Sequence, residues 1–139
     1  MDTLETIIRN QRRDMLDTLA KWIAIPSVRG EAAEGAPFGK EVRRALDTAI
    51  ADCERLGLKT EIVDGYAGHA DLGEGETKDA LAILAHLDVV PTGDGWVHPP
   101  FGAVTENGNI YGRGTSDDKG PAIAALYAMK AVLDSGVRL

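Results

Sequence analysis

The feature that most constrains the fold is an apolar run, ALAILA, at residues 80–85. An almost uninterrupted run of this length is typical of a strand that is covered on both faces, as in an α/β sheet. The run leads directly into His86 and Asp88, side chains that can bind metals or move protons. Ligand sites in open α/β sheets collect at such strand ends. We therefore expect an α/β fold with a candidate site immediately after this strand.

The rest of the chain alternates between helical and extended patterns. Helices are predicted where apolar residues recur at three- and four-residue steps, in residues 3–24, 39–56 and 122–133. Strands are predicted in residues 58–63 and 67–72 and in a hairpin of residues 103–106 and 109–111, with a turn over residues 73–79. Gly57 is placed to cap the second helix, and the last helix is apolar on most faces, which predicts burial. This order of elements is that of an α/β protein.

Composition excludes several classes of protein. The 139 residues carry a formal net charge of −7, which argues against nucleic acid or an anionic membrane as the main partner. The single cysteine, Cys53, cannot form an internal disulfide and is predicted to be a buried, inert thiol. The N-terminal sequence lacks the apolar segment of a signal peptide, and no charge-free stretch is long enough to span a membrane. A cytoplasmic protein is the expectation.

His86 and Asp88 form the first candidate site. A spacing of two residues places both side chains on the same side of an extended chain. His86 can then bind a metal through one ring nitrogen, while Asp88 holds the imidazole directly or through water. The alternative is a polar pair at a strand end that only satisfies backbone groups.

The second candidate site is the segment GRGTSDDKG at residues 112–120, between the hairpin and the last helix. Two adjacent carboxylates, Asp117 and Asp118, are costly to bring together unless a cation or hydrogen bonds offset their repulsion. A carboxylate in a tight turn is a good ligand for a hard cation and can bridge two metals. The alternative is helix capping by Ser116 or Asp117, and the two roles are compatible. The glycine spacing does not match a phosphate-binding loop.

Four other residues are weaker candidates. His69 and His98 are interpreted as structural or surface histidines rather than ligands. Trp96 and Phe101 are interpreted as residues that pack their loop rather than bind substrate.

The two candidate sites, taken together, carry a resemblance to a known family. Residues 85–130 resemble the front of the metal site in the co-catalytic zinc exopeptidases, which include carboxypeptidase G, aminoacylases, carnosinases and bacterial dipeptidases. The details are most similar to the peptidase V type of dipeptidase, in the segments PFGKEV, YAGHADLGEG, HLDVVPTGDGW and YGRGTSDDKGP. The resemblance extends over nearly the whole chain, from the first helix to Lys130.

The resemblance implies a three-layer αβα catalytic domain with a mixed sheet, of which residues 1–139 would be the N-terminal portion. His86 would bind one zinc ion, Asp117 would bridge two, and Asp88 would orient His86. Asp118 and Lys119 would belong to the motif without being ligands, and the Asp117–Asp118 peptide bond would be cis. Manganese or cobalt also suits a site with nitrogen and oxygen ligands.

The implied function is metal-dependent hydrolysis of dipeptides or short peptides. Similar enzymes continue with a Glu-Glu pair that supplies the general base and a ligand, a further acidic ligand, a late histidine and an inserted lid or dimerisation domain. None of these is recognised in this chain, so the chain alone is predicted to be inactive. The alternative is a truncated, non-catalytic relative that acts as a binding or regulatory module. A truncated sheet edge at residues 80–85 would favour self-association.

Overall fold

The computed structural model describes residues 3–74, 78 and 80–137. In these residues the chain forms α1 (Leu4–Ile23), α2 (Lys40–Arg55), β1 (Lys59–Val63), β2 (Ala67–Asp71), β3 (Val104–Glu106), β4 (Asn109–Tyr111) and α3 (Lys119–Ser135). Strands β1 and β2 form one antiparallel hairpin, and β3 and β4 form another. The turn predicted over residues 73–79 lies largely outside the described residues, because 75–77 and 79 are not among them.

The helices begin and end close to the predicted residues. The side chain of Thr3 accepts a hydrogen bond from the Thr6 amide and caps α1. Gly57 follows α2 with a φ of 92°, a left-handed conformation that glycine adopts without a steric penalty, so the predicted cap is confirmed. Helix α3 begins at Lys119, three residues before its predicted start. Pro121 is compatible with this earlier start because the first turn of a helix does not need its amide hydrogen.

The core lies where α1 packs on α3 and where α2 covers the β1–β2 hairpin. Its members are Leu19, Trp22, Ile23, Ala49, Cys53, Leu56, Leu58, Ile123, Leu126 and Tyr127. Burial, together with the charges of Asp52 and Glu54, raises the pKa of the Cys53 thiol to about 11. A buried thiol with so high a pKa is unreactive at neutral pH, as predicted. No helix in the described ranges is both long enough and apolar enough to cross a membrane.

A polar cluster joins the three helices beside this core. Asp52 of α2 is 1% exposed and accepts hydrogen bonds from Trp22 Nε1 at 2.8 Å and Lys21 Nζ at 2.5 Å. Arg55 also donates to Asp52, at 3.3 Å, and reaches Tyr127 of α3 at the same distance. The buried carboxylate therefore has donors that compensate for its loss of hydration.

The prediction of a covered strand at residues 80–85 is wrong for the described part of the chain. These residues pair with no strand among the described residues, and Leu81 and Leu84 are 90% and 96% exposed. A single parallel bridge, between Val28 and Val89, lies beyond their end. The physical reason is that, among the described residues, no strand lies beside the run to bury its side chains. Helix α3 is buried along one face, at Ile123, Leu126, Tyr127 and Ala131, while Leu133 is 39% exposed, so its predicted burial is confirmed for that face only.

Candidate metal centre

One half of the candidate site is the segment that carries His86 and Asp88. The loop that follows α1 holds this segment in place. Ser27 is fully buried, and its hydroxyl donates to the Leu87 carbonyl at 2.6 Å. The Ser27 carbonyl in turn accepts from the Val89 amide at 3.0 Å. These two bonds hold the end of an otherwise unpaired segment against the body of the chain.

The other half is the turn of residues 112–118, between β4 and α3. The Thr115 amide and hydroxyl both donate to the Gly112 carbonyl, at 3.3 and 2.9 Å. The Gly120 amide closes the turn by donating to the Gly114 carbonyl at 3.2 Å. The peptide bond between Asp117 and Asp118 is cis, as the resemblance predicted.

The fold brings the two halves into direct contact. His86 Nε2 lies 2.9 Å from Asp117 Oδ1, although 31 residues separate them in the sequence. The second ring nitrogen, Nδ1, lies 3.1 Å from the Asp88 carbonyl oxygen and 3.3 Å from Asp88 Oδ1. The three residues predicted from the sequence therefore share one site, with Asp88 and Asp117 on opposite edges of the imidazole.

The electrostatics of the site favour a positively charged group. Partial burial lowers the pKa of His86, but hydrogen bonds to Asp117 and to the Asp88 backbone, and the charges of both carboxylates, outweigh it, so the pKa is raised. The side chains of His86 and Asp117 remain 50% and 84% exposed. A cation from solvent can therefore reach both.

The alternative of helix capping by Ser116 or Asp117 is wrong. The N-cap of α3 is Asp118, and its side chain makes no capping hydrogen bond. Instead, Asp118 Oδ2 accepts from the His86 amide at 3.2 Å. The acidic pair thus faces the His86 segment, with Asp117 on its imidazole and Asp118 on its backbone. This arrangement is not what a simple cap requires.

Two residues that support the site were not singled out as such from the sequence. Lys119 is fully buried and donates to the carbonyls of Trp22 and Ile25, and Ser27 holds Leu87 as described above. Burial, with a smaller contribution from Arg44, lowers the pKa of Lys119 to about 8. The signal for Lys119 was its place in the GRGTSDDKG segment, shortly before the predicted apolar helix. Ser27 had no comparable signal.

The weaker candidates contact other parts of the chain. His69 bonds to Asp71 at 3.0 Å within the β1–β2 hairpin, and His98 stacks on Tyr111 with ring centres 4.6 Å apart. Trp96 donates to the Thr92 carbonyl at 2.8 Å and lies against the Arg113 guanidinium, in keeping with its predicted packing role. Within the described residues, no group of three or more histidine, cysteine or acidic side chains converges on a metal position.

The chain is similar in sequence and in fold to known proteins. Residues 82–139 match peptidase family M20/M25/M40. "Putative dipeptidase YtjP" of Bacillus subtilis (strain 168) is 42% identical over 137 residues, which are 97% of this chain and 29% of that protein. "Putative dipeptidase SAUSA300_1697" of Staphylococcus aureus (strain USA300) is 43% identical over 94% of this chain and 28% of its own length. Human carnosine dipeptidase 1 superposes with a TM-score of 0.71 and 26% identity, over 99% of this chain and 32% of that structure.

The fold is that of an α/β chain similar in structure to human carnosine dipeptidase 1. Residues 82–139 match the model of peptidase family M20/M25/M40, and nearly the whole chain is similar to proteins named "Putative dipeptidase". The resemblance and the fold class predicted from the sequence are therefore confirmed. The chain spans less than a third of the length of these relatives.

Proposed function

We propose that this chain supplies the first part of a di-zinc site in a hydrolase of dipeptides or short peptides. In this proposal, residues 1–139 are the N-terminal portion of the catalytic domain. His86 binds one zinc ion, Asp117 bridges two, and Asp88 fixes the orientation of His86. The observation that carries the proposal is the 2.9 Å approach of His86 Nε2 to Asp117 Oδ1. The names of the related dipeptidases support peptides as the substrate class.

The donor set fits a metal of this kind. Imidazole nitrogen and carboxylate oxygen suit zinc, manganese and cobalt. The 2.9 Å separation of His86 Nε2 and Asp117 Oδ1 places the two donor atoms near enough that one zinc ion would reach both. Contact of Nδ1 with Asp88 leaves Nε2 as the metal-facing nitrogen, the arrangement usual for a histidine ligand. The exposure of Asp117 leaves room for its carboxylate to serve a second metal.

The chemistry divides between the metals and the chain. Zinc held by His86 and Asp117 would supply Lewis-acid chemistry, the polarisation of a carbonyl group and a lowered pKa of a bound water molecule. His86 and Asp117 hold their positions, and Asp88 fixes the proton of His86 on Nδ1. The general base and the remaining ligands come from outside these 139 residues in this proposal.

Zinc titration by isothermal calorimetry tests the site. We expect weak zinc binding by the chain and at least about a tenfold loss of affinity in His86→Ala and in Asp117→Asn, since each removes one of two donors. His69→Ala is the matched control, because His69 is as exposed as His86 and also lies against carboxylates. The zinc affinity of the His69→Ala variant should stay within about twofold of that of the parent chain. Equal binding by all four proteins would contradict the assignment.

The isolated chain is expected to hydrolyse no dipeptide. Two protein donors do not complete a tetrahedral zinc site, and a general base is required to take the proton of the attacking water. The check is release of free amino acids from a panel of dipeptides, with zinc, manganese or cobalt added. A rate above that of the metal alone, lost in Asp117→Asn, would show that the chain is sufficient.

Self-association through residues 80–85 is a further expectation. Leu81 and Leu84 are almost fully exposed on a segment that pairs with no described strand, and such an apolar segment favours association with another chain. We expect sedimentation velocity to show concentration-dependent association that is lost in the Leu81→Lys/Leu84→Lys double variant. Val97→Lys is the control, because Val97 is 91% exposed but lies in a different loop. A monomeric parent chain at high concentration would refute this expectation.

A further inference from the structure

We propose that Lys119 is a positioning residue for the metal site, tying the turn that carries Asp117 to the C-terminal end of α1. The inference rests on the proposed function in one respect, since it takes Asp117 and His86 to be metal ligands. It goes beyond that function by assigning a role to a side chain that does not bind the metal.

The first observation is the setting of the ammonium group. Lys119 is 0% exposed, and Nζ donates to the Trp22 carbonyl at 2.8 Å and to the Ile25 carbonyl at 2.7 Å. Lysine is almost never fully buried unless it has such partners. Trp22 lies in the last turn of α1, at the negative end of the helix dipole, and Ile25 lies in the loop that follows. Each carbonyl also accepts from a backbone amide, that of Ile25 at 3.2 Å and that of Ser27 at 2.8 Å. A buried cation is therefore held strongly at this one place, the end of α1.

The second observation is the packing of the lysine stem. A Cβ atom built on Gly114 would lie 3.1 Å from Lys119 Cδ and 3.2 Å from Val89 Cγ1. Gly114 thus lies between the stem and the residue that follows Asp88. The stem therefore contacts the start of the same turn whose end carries Asp117, and it does so beside the His86 segment.

The third observation is that both halves of the site are anchored to the same loop. Ile25 accepts from Lys119 on the Asp117 side, and two residues later Ser27 donates to Leu87 on the His86 side. The loop after α1 is therefore a common support for the two halves. Asp117 itself is 84% exposed, so few contacts of its own side chain fix its place. Its distance to His86 depends on how its turn is held.

The test uses the whole 139-residue chain, labelled with ¹⁵N, and two variants of α3. Lys119→Met removes both donors to the end of α1. Tyr127→Phe is the matched control, because Tyr127 also lies on α3 and its hydroxyl also bonds to α1, at Thr18, whereas its hydrogen bonds to Thr18, Arg55 and Asp14 do not involve the turn of residues 112–118. For each protein we would measure thermal unfolding, the chemical shift and hydrogen exchange of the His86 amide without metal, and the affinity for zinc chloride.

A purely structural lysine would lower only the unfolding temperature. If Lys119 positions the site, we expect Lys119→Met to change the chemical shift of the His86 amide. Hydrogen exchange of this amide should be about tenfold faster or more, because its bond to Asp118 weakens. The affinity for zinc should fall by a similar factor. Tyr127→Phe should lower the unfolding temperature. The exchange rate of its His86 amide and its zinc affinity should stay within about twofold of the parent values. An unchanged amide and affinity in a folded Lys119→Met would overturn the proposal.

A second variant covers the case in which Lys119→Met does not fold. Lys119→Gln retains one uncharged donor, and we expect the same changes at the His86 amide to a smaller degree; an unchanged amide overturns the proposal. If the parent chain binds no zinc, the proposed function fails. The chemical shift and hydrogen exchange of the His86 amide, compared between the Lys119 and Tyr127 variants, still decide the positioning role, because they are measured without metal.

Discussion

Replacement of Asp52 by alanine is expected to lower the free energy of unfolding by about 3 kcal/mol. Asp52 is almost fully buried and accepts from the indole of Trp22, the ammonium of Lys21 and the guanidinium of Arg55. Without the carboxylate, the buried Trp22 Nε1 loses its acceptor. Lys21 and Arg55 are partly exposed and can recover hydration, so the indole and the disrupted packing account for most of the loss.

Urea unfolding followed by circular dichroism measures this effect, and Asp47→Ala is its control. Asp47 lies on the same helix and pairs with Arg43 at 2.7 Å, but its side chain is 51% exposed. An exposed ion pair of this kind contributes little, so the control should change stability by less than about 0.5 kcal/mol. Equal losses in the two variants would mean that the buried cluster does not stabilise the three-helix junction.

Replacement of Gly120 by alanine is expected to lower the free energy of unfolding by about 1–2 kcal/mol and to open the turn that carries Asp117. A Cβ at this position would lie 2.0 Å from the Thr115 carbonyl oxygen, a contact that no rotamer change can relieve because both groups are fixed by the backbone. Alanine in a helix gains at most about 1 kcal/mol over glycine. The overlap costs about 1–3 kcal/mol or more in well-packed regions, so the steric cost exceeds the gain in helix propensity.

Gly30→Ala is the control for this substitution. The nearest atom to a Cβ on Gly30 is Gly39 Cα at 3.9 Å, and Gly30 does not adopt a positive φ. Its stability should therefore stay within about 0.5 kcal/mol of the parent. Unfolding in urea gives the stabilities, and the His86 amide reports whether the turn has moved. A Gly120→Ala protein with parental stability would show that the turn is not closed as described.

Local patterns predicted most of the secondary structure. Helices α1 and α2 and the β3–β4 hairpin could be predicted because their periodicity and their caps depend on neighbours a few residues away. The start of helix α3 was predicted three residues too late. Gly120 and Pro121 are residue types typical of a loop, but they are compatible with the first turn of a helix. The approach of His86 to Asp117 followed from a resemblance, because no local rule relates residues 31 positions apart.

The sequence by itself determined the amphipathic helices, the acidic surface, the family resemblance and the residue types of the candidate site. The tertiary structure decided which contacts those residues make. It left residues 80–85 exposed because no described strand lies beside them, and it turned Asp118 to the His86 backbone rather than to a helix cap. It also buried Lys119 against the end of α1. Each of these outcomes depends on groups far apart in the chain, whose burial and hydrogen bonding are fixed only when the helices pack.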